Sequence, residues 1–276
     1  MIQILKRNIG FFFRAFIGIK DNFFDNPKLQ DTIKGESFSI GKTYMGEEIM
    51  TYHFGGGKEK ILYFGGIHGN EVGTVKLMIH WINFLNNQIG GDVDFLKNKE
   101  IFNIPCLNLD GYKIALNDSD YFRGGNKGKT NAKNVDLNRN FPTSNWKKES
   151  KMFISGEYFD ISAGDKPASE LEIQALLNFI NKENIKTIYT FHNCWGTVFS
   201  LGEEISQKRV SNYAQNSGYT IFSQDSWDKL REEQKQGHMM IWGKENNIDV
   251  IEVELKTRWG SEWEINKKAL IESLFM

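Results

Sequence analysis

The stretch GGIHGNEVG, Gly65 to Gly73, carries an imidazole and a carboxylate three residues apart, His68 and Glu71. The apolar run ILYF leads in and VKLMIHWINFL leads out. That pattern predicts a strand, a glycine corner and a helix. A corner gains little apolar packing, so a histidine and an acid placed there suggest chemistry. Further along, His192 closes the apolar run IYTF, and Glu254 lies near the end of VIEVEL. Zinc takes nitrogen and oxygen ligands at about 2.0–2.2 Å, and a catalytic zinc keeps one position open. His68, Glu71 and His192 make such a set, for one zinc per chain. Glu254 then serves as general base on a water. Singly, a His-x-x-Glu turn is more often structural, and a histidine after a buried strand is more often a core residue. Their joint arrival at strand ends is what singles them out.

The elements that must position these groups follow from the hydrophobic pattern. SFSIGKTYMGEEIMTYHFGGGKEKILYFGGI predicts short strands broken by glycine turns. A helix is expected from Glu71 to Gln88, and EIFNIPCLN is a buried strand. Residues Asp110 to Asn134 are polar and glycine-rich, which predicts a long surface loop. Ser169 with Glu172 reads as a capping box for ELEIQALLNFINKE, and Ser261 with Glu264 as one for WEINKKALIESLF. KTIYTF and DVIEVEL are strands, and QKRVSNYAQNSG and MMIWGKENN are helical. Strands alternate with helices, and most strands are uniformly apolar. The fold class is therefore α/β: a mixed, largely parallel sheet with helices on both faces. In such sheets ligands gather beyond the carboxyl ends of the strands.

Composition excludes several classes. The chain has 276 residues, 25% charged and 40% hydrophobic, with a formal net charge of −1. These are values of an ordinary globular protein without a basic nucleic-acid footprint. Two cysteines, Cys106 and Cys194, make no disulfide framework and fit a reducing compartment. Both read as buried thiols. His53 and His80 fall in strand and helix patterns and need no function, whereas His238 follows Gly237 at a helix start as a cap or pocket residue. The domain division is 1–34 as an amphipathic extension and 35–276 as a single catalytic domain. In the extension, Ile2, Leu5, Ile9, Phe12, Phe13 and Phe16 share one helical face, with Lys6, Arg7 and Arg14 towards the other. It reads as a helix packed on its own domain, or alternatively as a membrane-surface or partner-binding helix. Arg14 splits the apolar run and no small-residue cleavage site follows, so it is a poor signal peptide. A cytoplasmic location is expected, with membrane association through this helix as the variant. No signal sets an oligomeric state.

GGIHGNEVG, NLDGY, NVDLNRNFP, TFHN and VIEVEL, in that order, resemble the zinc carboxypeptidase family over about Ile40 to Leu255. GDKPASELEIQAL and NVDLNRNFPTSNW are similar to its bacterial murein peptide amidase branch. The chain departs from the family in having NLDG in place of Asn-Pro-Asp-Gly, and a longer loop from Arg123 to Asn131. The resemblance implies a zinc carboxypeptidase-like fold, with His68, Glu71 and His192 on the metal. It implies that Asn138 and Arg139 grip a free carboxylate of a small peptide substrate, a task that suits the planar guanidinium fork. Arg123 would stabilise the oxyanion. No tyrosine role is carried over. Strand alternation puts Glu252 on the same face as Glu254, so periodicity does not separate them. The family's Glu-Leu ending selects Glu254 as the base. The resemblance places Glu252 in the pocket for the leaving residue, where it would favour a positively charged side chain. The expected function is a zinc metallopeptidase or amidase cutting the γ-D-Glu–meso-diaminopimelate bond of murein peptides in peptidoglycan. The alternatives are a general carboxypeptidase on L-peptides, an aspartoacylase-like deacylase, and a zinc- or peptide-binding module without catalysis. An intact Glu254 argues against the last.

Overall fold

The structure is a computed structural model, which describes residues 25–89, 95–119, 126–154 and 157–276. The amphipathic face expected before residue 24 lies outside them. Ten strands appear among the described residues: β1 Glu36–Lys42, β2 Glu48–Gly55, β3 Glu59–Phe64, β4 Lys99–Ile104, β5 Glu149–Ile154, β6 Glu157–Ser162, β7 Thr187–Asn193, β8 Thr197–Phe199, β9 Thr220–Ile221 and β10 Asp249–Leu255. Six of the helices organise the domain: α1 Val72–Gln88, α2 Leu109–Leu116, α3 Leu171–Glu183, α4 Glu204–Ser217, α5 Met239–Glu245 and α6 Trp263–Ser273.

Eight strands form one sheet in the order β1-β2-β4-β3-β7-β10-β8-β9. The four central strands β4, β3, β7 and β10 run parallel; β1 and β2 pair antiparallel, as do β2 with β4 and β8 with β10, while β9 runs parallel to β8. The expected mixed, largely parallel sheet is the one found. Parallel central strands need both faces covered, because neither can meet water at low cost. Alternation then sends successive side chains into two separate cores. Ile188 and Val250 enter one core with Ile173, Leu176 and Phe179 of α3 and Trp242 of α5. Tyr189, Phe191, Ile251 and Val253 enter the other, with Trp81 of α1, Tyr213 of α4 and Leu270 of α6. Tyr63 stacks on Tyr189 with ring centroids 5.1 Å apart, locking β3 to β7 on that second face.

Three local expectations differ from the structure, each because of where a side chain makes its hydrogen bond. The segment from Asp110 is not all loop: α2 occupies its start, because Asn108 caps it by accepting from the Gly111 N–H at 2.9 Å. Ser169 does not cap α3. Its hydroxyl turns to Glu170 Oε1 at 2.7 Å, and the helix begins after Glu170, whose N–H donates to Asn140 Oδ1 at 3.0 Å. Ser261 likewise donates to Asp25 Oδ2 at 2.6 Å, while Glu262 occupies the cap of α6 in a left-handed conformation. The β5–β6 hairpin carries no signal that the pattern reading found. Among the described residues no helix is long and apolar enough to cross a membrane.

Residues 25–34 lie as a strap along α1. The Gln30 N–H donates to Asn83 Oδ1, Asn83 Nδ2 donates to the Lys28 carbonyl, and the Lys34 N–H donates to Asn86 Oδ1. Asp25 closes the strap against His80 at 2.8 Å and Ser261. Burial pushes the Asp25 carboxyl up, but those hydrogen bonds and the Lys76 charge hold it below its ordinary value. A chain that begins at Lys28 loses this clasp and keeps the rest of the strap. It should still fold and turn over soluble substrate. Its thermal midpoint should drop by a few degrees, as for the loss of about 1–2 kcal/mol in a domain of this size. A calorimetric scan and an activity assay of the truncated chain check both.

Candidate active site

The parallel register delivers the site. Glu254 of β10 pairs with His192 of β7, and Glu252 with Thr190. Partners in a parallel pair point the same way, so His192, Glu252 and Glu254 share one face. That face begins as core, with Ile188 and Val250, and turns polar towards the strand ends. β3 runs parallel on the other side of β7 and ends at Phe64, which starts the corner that carries His68 and Glu71. Two glycines make the corner possible. Gly66 adopts φ +63°, which disfavours a side chain. At Gly69 a Cβ would stand 2.1 Å from the Tyr112 nitrogen of α2, so only glycine lets the two backbones meet.

The corner, β7 and β10 bring the expected groups together. His68, Glu71 and His192 are all buried, and one donor atom from each lies within 4.8 Å of the others. The Glu71 carboxylate bridges the two rings, with Oε1 at 2.9 Å from His68 Nδ1 and Oε2 at 3.3 Å from His192 Nδ1. Burial alone would raise the Glu71 pKa, but the two imidazoles hold it well below the usual carboxylate range. Both imidazoles sit above their ordinary value of 6.5: burial opposes their charge, and the facing carboxylates outweigh it. Glu71 Oε2 and His192 Nε2 are buried without a hydrogen-bond partner. Two imidazoles, a carboxylate and unfilled donor capacity fit a divalent zinc. Cys194 does not join this donor set, and burial pushes its thiol up to about 11.

Glu254 stands next to this cluster. Burial pushes its carboxyl up to about 8, with the Glu71 and Glu252 charges adding to the rise. A carboxyl held close to neutral pH is poised to take and give a proton. Asn138 and Arg139 follow one another in a short 3₁₀ turn, Leu137–Arg139. Arg139 Nη1 donates to the Asn138 carbonyl at 2.8 Å, and Arg139 Nε is buried without a partner. Among the described residues no carboxylate pairs with Arg139. A guanidinium presented this way is free to receive one from outside. Arg123 lies outside the described residues.

Three functional candidates escaped the pattern reading or were left open by it. Asp136 caps the 3₁₀ turn by accepting from the Asn138 N–H at 2.9 Å, and the same Oδ1 lies 3.0 Å from His68 Nε2. It is fully buried. Burial would raise its carboxyl, yet Lys129, His68 and Arg139 hold it well below the usual range. A carboxylate behind a metal-binding imidazole fixes the ring's tautomer and orientation. Its only sequence signal was an acid two places before Asn138 in a turn. Lys129 Nζ lies 3.0 Å from His68 Nε2 and 3.5 Å from Asp136 Oδ2, a cation inside the site that sat unremarked in the presumed loop. His238 caps α5, accepting from the Met240 N–H at 3.2 Å, as its position after Gly237 suggested. Its Nε2 lies 3.1 Å from Asn138 Nδ2 and 3.8 Å from Glu252 Oε2. Burial and the Arg139 charge keep this imidazole neutral, well below its ordinary value.

A family model described as zinc carboxypeptidase matches residues 29–255. Human carboxypeptidase Z is 32% identical over 117 residues, 38% of this chain but 18% of that protein. Such relatives are thus matched over under a fifth of their own length. Murein peptide amidase A of Escherichia coli K12 is 29% identical over 181 residues, 62% of this chain and 66% of that protein. The crystal structure of murein-tripeptide amidase from Escherichia coli O157 superposes with a TM-score of 0.65 at 22% identity, covering 89% of this chain and 92% of that one. Carboxypeptidase A from Helicoverpa armigera gives 0.69 at 14% identity, over 99% and 80%. Both structures share the fold.

The geometry generates two expected outcomes. Metal analysis of His68→Ala and His192→Ala should show loss of most bound zinc, and full retention in both variants would remove the site. Zinc affinity should fall as the solution is acidified from about pH 8 to about pH 6, because protons compete for both rings and do so above the ordinary histidine value. Chelator competition across that range reads the slope.

Proposed function

The chain belongs to the zinc carboxypeptidase family, and on that footing we propose that it is a zinc-dependent hydrolase cutting an amide bond next to a free carboxylate. The observation that carries this reading is the pairing of a metal-type donor set with a guanidinium that forms no salt bridge with a described carboxylate. His68, Glu71 and His192 would hold the zinc. Bound there, it would polarise the carbonyl and make water acidic enough to yield a nucleophile near neutral pH. Arg139 and Asn138 receive the substrate's carboxylate and so set which amide reaches the cluster. Glu254 takes a proton from the attacking water and returns it to the leaving amine as the C–N bond breaks. The oxyanion needs a cation. The resemblance assigns that role to Arg123, and we add Lys129, because its ammonium already stands beside His68.

The substrate we favour is a murein peptide cut between γ-D-glutamate and meso-diaminopimelate. Support comes from the 29% identity to an amidase that acts on murein peptides by its name, and from a shared fold that covers most of both chains. A carboxypeptidase acting on L-peptides is the second reading, favoured by the 32% identity to human carboxypeptidase Z. Mass spectrometry of zinc-loaded protein with L-Ala-γ-D-Glu-meso-diaminopimelate and with a hippuryl L-peptide separates them. Cleavage of the first alone is the expected result, and cleavage of the hippuryl peptide alone reverses the choice. Glu254→Gln should retain fold and zinc yet lose kcat by about 10²- to 10⁴-fold. Lys129→Met and Arg123→Met, compared side by side, locate the oxyanion cation: the one that carries it loses about 10²- to 10³-fold in kcat with little change in KM.

A further inference from the structure

Glu252 is the one carboxylate in the site for which the catalytic reading above has no use. Its carboxyl is turned inward, and Oε2 is buried without a hydrogen-bond partner. The two nearest basic atoms to that oxygen are His192 Nε2 at 3.7 Å and His238 Nε2 at 3.8 Å. Internal pairing with the nearest downstream cations is not seen. Lys256 lies over the Tyr219 ring, and Arg258 donates to Asn126. His238 accepts the Met240 N–H on Nδ1, so as a neutral ring it carries its proton on Nε2, which faces Glu252 beside the Asn138 amide. His192 is the nearer of the two, and its Nε2 is itself buried and unpartnered. Two orphaned polar atoms of complementary kind thus face one another across 3.7 Å, on adjacent parallel strands that hold them side by side.

The other histidine of the cluster shows what such a pair does when closed. His68 turns Nδ1 to Glu71 and Nε2 to Asp136 at 3.0 Å. His192 repeats the arrangement, with Nδ1 towards the second oxygen of the same Glu71 and Nε2 towards Glu252. We propose that Glu252 is a positioning residue that accepts the Nε2–H of His192, so that Nδ1 carries the lone pair for the metal. A gap of 3.7 Å is too long for a hydrogen bond. A small rotation of the carboxyl closes it once a cation draws His192 Nδ1 and Glu71 together. Each metal imidazole is then backed by its own acid, and outer carboxylates of this kind strengthen metal binding about 10- to 100-fold. The role differs from the leaving-residue pocket read from the resemblance, and it rests on His192 being a metal ligand.

The test measures zinc affinity of the full chain by chelator competition, with zinc alone as the probe. Glu252→Thr should weaken binding about 10- to 100-fold, and Glu252→Gln by less, because the amide oxygen still accepts the imidazole proton. In ¹⁵N spectra of histidine-labelled protein with zinc, His192 should carry its proton on Nε2 in the wild type. That proton's resonance should shift in Glu252→Gln, which decides the matter even if Glu252→Thr does not fold. Zinc affinity within about twofold of wild type in Glu252→Thr, or a His192 protonated on Nδ1, would overturn the proposal. So would unchanged zinc affinity together with loss of a preference for lysine over norleucine at the leaving position, since that result describes a carboxylate facing substrate. Retention of zinc by His192→Ala fails the metal-site reading itself, a different outcome from a silent Glu252.

Discussion

Three carboxylates, Glu71, Glu252 and Glu254, converge with two imidazoles in a largely buried space, and the rest of the site follows from that crowding. Burying a carboxylate is expensive unless a positive charge or hydrogen bonds compensate it. The chain does not supply enough of either. Glu71 is held down by His68 and His192, while Glu254 is pushed up to about 8 and Glu252 is raised as well. Lys129 beside the cluster faces Asp136, and among the described residues Arg139 forms no salt bridge with an acid. A divalent cation between the rings relieves several of these penalties together, and the deficit is the physical reason to expect one.

Holding like charges so near requires a frame that does not yield. The parallel strands β3, β7 and β10 provide it, with their aromatic and branched side chains packed into two cores. Tyr63 and Tyr189, stacked on the face opposite His192, fix the spacing between strands. The 3₁₀ turn Leu137–Arg139 adds the remaining pieces in one stroke. Asp136 at its cap reaches back to His68, and Arg139 at its end reaches out. One short turn therefore couples the orientation of the His68 imidazole to the placement of the Arg139 guanidinium.

Much of this was legible in the sequence, and the failures have physical causes. The sheet class could be read because buried parallel strands are apolar throughout, and the glycine corner because few other contexts hold a histidine and an acid among so many glycines. His68, Glu71 and His192, which the structure brings together, stood out because they border apolar runs, whereas Glu254 was told from Glu252 only by the family's Glu-Leu ending. Asp136, Lys129 and the function of His238 could not, since each acquires meaning only through a partner far along the chain. The capping boxes at Ser169 and Ser261 had the right residues, but Glu170 and Asp25 took the hydroxyls first. Helix α2 hid at the start of a polar, glycine-rich stretch, until the Asn108 side chain is seen to start it.

The strand order carries a kinetic consequence. β3 and β7 lie side by side although α1, β4, α2, the hairpin and α3 separate them in sequence, and β10 joins only after β8 and α4 have been laid down. Closing such long loops is slow, and no subset of neighbouring elements contains all three metal-type donors. Zinc therefore has no native binding site to nucleate around early in folding. The full donor set exists only when β7 lies beside β3, so tight metal capture would report that long-range docking rather than any local element.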